Sequence, residues 1–571
     1  MEDSNYWKRL RQNRITRRVL LGSAALTAAG GAAALTVGCG SGGLSGPQFT
    51  PWPTDATPAQ GGSITWGRIL ATLGIDPHVD LTGLDIDTLI YSYMYGWAPK
   101  SETAVLNNLA KDMEVIDETE FIFTLNRGVK VHPTAPVGAG DDIISEDVKQ
   151  SFIRRGTSIS APDKRFPKFI AGAVDKDLLS AALETPDDYT FRFKMKEPFV
   201  PAMREMANPT WAIVPAKIID KFLSLSQEAY GSGPYMLDEF RGSERIVLKK
   251  HPEYFIPNRP YLDGITYIVI TENSSLLSAF RSAQHDVSGA FLTRRDAEDL
   301  MEDPRIIVST TPSGFYPVIH MKMKPPFDDI RVRKAIDLAL DRDEFIRGLQ
   351  DGEGNYNGPI QWVQEKWALP QDELREFYQY RPEEAKALLA EAGFPDGFEV
   401  KMKLPKVPGI SFITDFALLI KEQLGRIKIT INIDEVELGA YISSVILPGN
   451  FDMTFFPNLP WDEPDRPLSF YHSLGLTGTG NWTNYTNPEL DKLINAQAQE
   501  FDVDKRQQII LDAQRMILDE HGPQITLTGG FAFQSRWAYV NFPFEVFAFQ
   551  TPDDNLGNPF GVDIWRQPIG V

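Results

Sequence analysis

The chain has 571 residues, with 77 Asp and Glu against 57 Lys and Arg for a formal charge of −20, 42% hydrophobic residues and one cysteine. Such an acidic surface argues against nucleic acid or anionic lipid as a partner, and a lone cysteine excludes an internal disulfide or a multi-cysteine metal or redox centre. A single core rarely grows past about 250–300 residues, so two or three domains are expected.

Residues 1–38 hold Lys8, Arg9, Arg11, Arg14, Arg17 and Arg18 against only Glu2 and Asp3, the basic start of an export signal. Taking that +4 from −20 leaves −24 for the rest of the chain. Val19 to Val37 is free of charge, yet only Val19, Leu20, Leu21, Leu26, Leu35 and Val37 are large apolar side chains. At about 1.5 Å per residue a helix of this length just spans a hydrocarbon core of roughly 30 Å. An uncleaved anchor is therefore the alternative to a cleaved signal, and both put the body of the protein outside the cytoplasm. Thr16-Arg17-Arg18-Val19-Leu20-Leu21 resembles a Tat signal, which makes the Tat translocase an expected partner during export. Leu35-Thr36-Val37-Gly38-Cys39 is similar to a bacterial lipobox, with Thr36 where Leu usually stands. Cys39 is the expected lipidation site. The Gly-, Ser-, Pro- and Thr-rich stretch 39–60 follows as a tether, about twenty flexible residues reaching roughly 25 Å.

Strand and helix patterns then alternate without a fixed repeat. Phe121, Phe123 and Leu125 predict a half-buried strand, as do Phe191, Phe193 and Met195. Asp341 with Glu344 reads as a capping box. Gly352-Glu353-Gly354-Asn355-Tyr356-Asn357-Gly358 is one residue off a dinucleotide fingerprint and follows no strand, so it reads as a loop. Pro382 opens a helix that buries Ala385, Leu388, Leu389 and Ala392 and stops at Gly393. Ile429, Ile431 and Ile433 predict a third strand. Asn487-Pro488-Glu489 opens a helix with Leu490, Leu493 and Ile494 inward. A long helix from about Asp504 ends at Gly522-Pro523, and Ile525–Thr528 reads as a strand. The class is mixed α/β without the cadence of a barrel.

Chemistry-bearing motifs are missing: there is no G-x-S-x-G elbow, phosphate loop, H-E-x-x-H or calcium loop. His78, His132, His251, His285, His320, His472 and His521 are scattered without metal-ligand spacing. No metal or cofactor is expected. Carboxylates are abundant enough to hide a catalytic pair, so an exported carboxylate-dependent hydrolase is the alternative reading.

Five segments in order resemble the solute-binding proteins of ABC importers, family 5, which serve oligopeptide, dipeptide and nickel uptake. The first runs through Leu109–Val115, Phe121–His132 and Ser145–Phe152. The others are Gly231-Ser232-Gly233-Pro234-Tyr235, Pro325 to Arg342, Ala385 to Gly397 and Tyr485 to Leu493. The resemblance implies a type II periplasmic-binding-protein-like fold, two lobes built from three domains with a ligand cleft between them. Domain I would be discontinuous (61–96, 212–312 and 526–571), domain II 97–211 and domain III 313–525. It implies a monomeric receptor, not an enzyme, that closes about a hinge on a peptide or peptide-like solute. The cargo would pass to a membrane permease whose ATPase is a separate chain, in keeping with the missing phosphate loop. The receptor would be lipid-anchored on the outer face of the cytoplasmic membrane or periplasmic.

Peptide binders of this family resemble one another at a domain III loop where an aspartate, four residues before a proline, receives the peptide's ammonium group. In Pro457-Asn458-Leu459-Pro460-Trp461-Asp462-Glu463-Pro464-Asp465-Arg466-Pro467 that position is Pro460. A shift of one or two residues would give the role to Asp462, since a buried ammonium needs a carboxylate. Without the shift, ammonium recognition is absent and cargo other than a free-amino peptide is expected. Trp461, Asp462, Asp465, Trp482 and Tyr485 are the candidate ligand-binding residues, the aromatics offering apolar area with a polar edge. His320 and Met321 stand where family members often carry Asn, a second sign of altered ligand chemistry.

Overall fold

The computed structural model describes residues 15–16, 57–80, 82–97, 104–106, 109–158, 165–172, 174–313, 316–407, 410–458, 463–477, 480–541 and 564–566. The expectations for the export signal, for Cys39, for most of the tether and for Trp461 and Asp462 lie outside the described residues. Among the described residues no helix is long and apolar enough to cross a membrane.

Among these residues three larger sheets organise the chain. The first has seven strands in the order Ile306–Pro312, Phe531–Trp537, Val287–Gly289, Ser63–Arg68, Gly264–Val269, Arg245–Lys250, Tyr235–Arg241. Its centre is parallel: Ser63–Arg68 lies in register with Gly264–Val269 on one side and Val287–Gly289 on the other. Ile64 pairs with Ile265 and Trp66 with Tyr267, whose rings stack at 6.0 Å.

The second sheet is antiparallel, in the order Ala110–Val115, Glu120–Leu125, Thr190–Lys194, Leu183–Asp187. Both period-two strands expected here form, and their apolar residues meet each other. Phe121 pairs with Phe193 and Phe123 with Phe191, and the Phe121 and Phe193 rings lie 5.1 Å apart. All four rings are buried, each contributing roughly 1.5–3 kcal/mol by removal from water.

The third sheet is mixed, in the order Ile429–Glu437, Phe398–Lys406, Met453–Asn458, Tyr316–Met321, Gln524–Thr526. Ile429 and Ile431 are buried and Ile433 packs against the same core. Thr528–Gly529 pairs with Asn355–Tyr356, so the glycine-rich 352–358 stretch ends as a small two-stranded pairing. The chain enters the first sheet at Phe531, a few residues later than the expected boundary at 526.

The helices are punctuated by the residues that sequence reading singled out. Pro382–Glu391 starts on Pro382, and Gly393 beyond it holds φ +92°, a left-handed conformation in which glycine carries no side-chain penalty. Asn487 caps Pro488–Gln499 by accepting hydrogen bonds from the amides of Glu489 and Leu490. Val503–Asp519 is the long helix. The capping box at Asp341 forms by half. Asp341 accepts from the Glu344 amide at 3.1 Å, but the Glu344 carboxylate turns to Arg426 at 3.0 Å and Gln423 at 2.7 Å. A charge-assisted pair with a guanidinium outcompetes a return bond to a backbone amide. Arg333, on helix Ile330–Leu338, donates to the carbonyls of His521 (2.6 Å) and Phe327 (2.9 Å), so this motif arginine ties helix ends together.

Gly231–Tyr235 carries the chain back into the first sheet. The Gly233 amide donates to Ile90 O at 2.8 Å and Gly231 O accepts from the His132 amide at 2.9 Å. A Cβ on Gly231 would sit 2.2 Å from Ile90 O, and one on Gly233 2.6 Å from the same atom. Glycine is required here by the close approach of two backbones.

Candidate binding site

A cavity of about 330 Å³ is lined by strands of the first and third sheets and by helical and loop residues from the region of the second. From the first sheet come Trp66 and Arg68, Ser288 and Gly289, and Phe533 and Gln534. Arg68 and Gly289 are the last residues of parallel neighbouring strands, and the carboxyl ends of parallel strands are where α/β sheets hold ligands. The region of the second sheet contributes Arg155, near the end of helix Ser145–Thr157, with Glu205, Asn208 and Thr210.

The side facing them is apolar. Leu438, Ile442, Ile446 and Leu447 reach the cavity from one helical segment, joined by Phe456, Phe470 and Trp482. Leu438, Ile442 and Ile446 follow a spacing of four, which puts them on one helix face. Tyr441, Val445 and Ile446 also belong to a small core with Phe451, against which Ile442, Phe456 and Trp482 pack. Ile442–Ile446 is a π-helical turn in which the Leu447 amide bonds to Ile442 O at 3.1 Å. Such turns widen the helix and recur at functional sites. Here the turn lets the successive residues Ile446 and Leu447 both face the cavity.

The charged groups on this wall are committed inside the protein. Arg68 pairs with Asp85, donates to Thr82 O at 3.3 Å and lies over the Tyr267 ring at 5.5 Å. Arg155 donates to His78 O at 3.3 Å and stands 6.0 Å from the Trp211 ring centre. Glu205 and Arg466 have interaction partners as well.

The candidate residues from sequence separate here. Trp482 lines the cavity; its ring meets Phe470 at 5.2 Å and His320 edge-on at 6.0 Å, and its carbonyl accepts from Lys322 Nζ at 2.8 Å. Its indole nitrogen is buried and has no hydrogen-bond partner among the described residues. Asp465 is 1% exposed and accepts from Gln497 Nε2 at 2.5 Å. Tyr485 is 3% exposed and donates to Glu520 at 2.6 Å, and burial followed by that acceptor pushes its phenol up from the ordinary value. Neither Asp465 nor Tyr485 borders the cavity. His320 is fully buried behind Trp482, and desolvation lowers its pKa to about 4, so it backs the wall as a neutral ring. Arg68, Asp85, Arg155 and the Leu438–Leu447 face were not singled out from sequence. The spacing of Leu438, Ile442 and Ile446 was the available signal.

Residues 104–481 match the family model for bacterial extracellular solute-binding proteins, family 5. The chain belongs to that family. Di/tripeptide-binding protein 1 of Pseudomonas aeruginosa is 24% identical over 482 residues, which is 78% of this chain and 85% of that protein. Among solved structures, the periplasmic binding protein DppA of Helicobacter pylori in complex with the peptide STSA superposes with a TM-score of 0.75 at 21% identity, covering 89% of this chain and 98% of that one. AgaA of A. tumefacien R10 in complex with agropinic acid gives 0.76 at 22%, covering 89% and 99%. The fold is that of the periplasmic binding proteins, two lobes with a cleft between them. The family and these neighbours are binding proteins, and they do not support the hydrolase reading.

Proposed function

We propose that this family 5 receptor captures a peptide or peptide-like solute in the cleft by hinge closure and hands it to the permease of an ABC importer. The ATPase resides on a separate chain. The observation that carries this reading is the single cavity walled by all three sheet regions, because a ligand touching all of them favours the closed arrangement over the open one. We take domain I as 61–96, 212–312 and 526–571, domain II as 97–211 and domain III as 313–525; the three sheets fall within this division apart from Thr526, which pairs in the third sheet. The receptor works as a monomer and binds without turnover.

The test is calorimetry and thermal unfolding of residues 39–571 with peptides, alongside mass spectrometry of whatever co-purifies. One solute per chain, released unaltered and raising stability by about 2.7 kcal/mol at a hundredfold excess over Kd, is the expected result. Chemical conversion of the solute, or no stoichiometric binding, would overturn it.

Asp462, next to Trp461, is proposed to receive the cargo's ammonium group. Asp462→Ala should weaken a free-amino peptide at least tenfold, roughly 1.4 kcal/mol, and leave an amino-blocked one unchanged. Export by the Tat route and acylation of Cys39 are supported by the twin arginines and the lipobox-like segment. Labelling with a lipid precursor should mark the native chain and spare Cys39→Ser; equal labelling of both would remove the anchor.

A further inference from the structure

Resting on that reading of the cleft, we infer that it selects its cargo by apolar side chains: short peptide-like solutes with bulky aliphatic or aromatic groups bind, and those with charged side chains are rejected. Two observations combine. Apolar side chains dominate the lining: Leu438, Ile442, Ile446 and Phe456 from the region of the third sheet, with Leu70 and Phe291 from that of the first. Leu438, Ile442, Leu70 and Phe291 are only partly buried without cargo, so a ligand gains by covering them.

The second observation concerns charge. Among the described residues five charged side chains border the cavity, and each already has an interaction partner in the protein. A lysine or glutamate side chain entering the cavity loses its hydration and has to share charged partners that the protein already uses, although the buried Asp85 Oδ1 accepts no hydrogen bond among the described residues. Freeing Arg68 for it would strip Asp85 of its partner guanidinium. An apolar side chain asks for no such exchange.

Volume sets the size class. About 330 Å³ is at the low end of the roughly 300–1,000 Å³ typical of small-molecule sites, which fits a solute of a few residues enclosed whole.

The experiment compares Leu-Phe, Lys-Lys and Glu-Glu by calorimetry on the same protein. Their termini are identical, so differences report the side chains. Leu-Phe should bind at least about a hundredfold tighter than either charged dipeptide, since an unpaired buried charge costs several kcal/mol. Ile442→Ala should weaken Leu-Phe about tenfold. Ile442→Leu, which keeps the apolar volume, should stay within about threefold. Equal or tighter binding of Lys-Lys or Glu-Glu overturns the selectivity and leaves solute capture standing. Failure of all three dipeptides, while another solute co-purifies and binds stoichiometrically, overturns the peptide chemistry and keeps the receptor reading.

Discussion

The crossover at Gly231–Tyr235 and the cavity wall at Leu438–Leu447 are specified by opposite means. The crossover is backbone against backbone. Gly231 and Gly233 each lie too close to the Ile90 carbonyl to admit a Cβ, and two histidine rings, 4.8 Å apart, share one acceptor there. His132 Nε2 and His251 Nδ1 reach Gly233 O at 3.1 and 3.2 Å. The wall is side chain against empty space, with Leu438 and Ile442 half-buried and Leu447 exposed. A backbone contact of this kind has one solution, whereas an apolar face accepts other apolar residues of similar volume at a cost usually under about 1.5 kcal/mol. The path of the chain between lobes is thereby fixed, and cargo preference can drift without altering it.

The part of the cavity lining at Arg466 has a support as stringent as the crossover, and breaking it should have the largest effect. Arg506 is fully buried, pairs with the Glu463 carboxylate and donates to Gln497 O at 3.1 Å and Gln497 Oε1 at 3.0 Å. Gln497 in turn holds Asp465. This network anchors 463–466, the stretch that brings Arg466 to the cavity. Arg506→Ala would leave Glu463 buried without its partner cation, and should lower unfolding free energy by about 3–5 kcal/mol in urea titrations. A loss below about 1 kcal/mol would place the support of this part of the lining elsewhere.

Gly233→Ala tests the other region. The added methyl meets Ile90 C at 2.5 Å and O at 2.6 Å, and these backbone atoms have no rotamer to change. A destabilisation of about 2–3 kcal/mol is expected, with weaker binding of every solute alike because the relation between lobes changes. A variant as stable as the native protein would show that the crossover has slack.

The same contrast explains what could be read from the sequence. Glycine at 393, proline at 382 and the caps at Asn487 and Asp341 follow from local geometry that each residue type satisfies almost alone, whereas Gly231 and Gly233 were legible through the family resemblance. Their elements appear where expected. The cleft wall comes from stretches as far apart as Trp66, Arg155, Ile442 and Phe533, and no local pattern ties them together. Asp465 and Tyr485 were chosen for proximity in sequence to one loop, yet their side chains turn into the core. Trp482, chosen on the same ground, faces the cavity. Whether a residue next to a motif turns inward or toward the ligand is decided by tertiary packing, which one sequence does not display.

Acid should weaken the crossover and, through His320, the wall as well. Burial lowers the pKa of His132 from 6.5 to about 3, with the neighbouring His251 adding to the shift. The unfolded chain therefore binds a proton that the folded chain refuses between those two values. Stability from this group is complete above pH 6.5, falls as pH drops, and is reduced by on the order of 2 kcal/mol near pH 4.5. His78, lowered to about 3, and His285, lowered to about 4, act with the same sign. His132→Gln retains one acceptor and one donor for Gly231 N and Gly233 O but cannot titrate. Its unfolding free energy should fall less between pH 6.5 and 4.5 than that of the native protein; an unchanged slope would assign the acid sensitivity to the other histidines.

Trp482→Phe carries the smallest expected effect and separates packing from recognition. Two terms oppose each other in the free protein. The smaller ring loses part of the contact with Phe470 and His320, costing about 1 kcal/mol. Removing the indole N–H also removes a buried donor with no acceptor among the described residues, which returns a similar amount. Unfolding free energy should thus change by less than about 1 kcal/mol. With cargo bound, the N–H is expected to meet a carbonyl of the solute, so its loss should weaken binding about five- to tenfold, roughly 1–1.4 kcal/mol. A fall in affinity with stability held is the signature of a donor used by the cargo. If affinity is unchanged, or if both quantities fall together, Trp482 is a packing residue and the polar contact to the cargo comes from another part of the cleft.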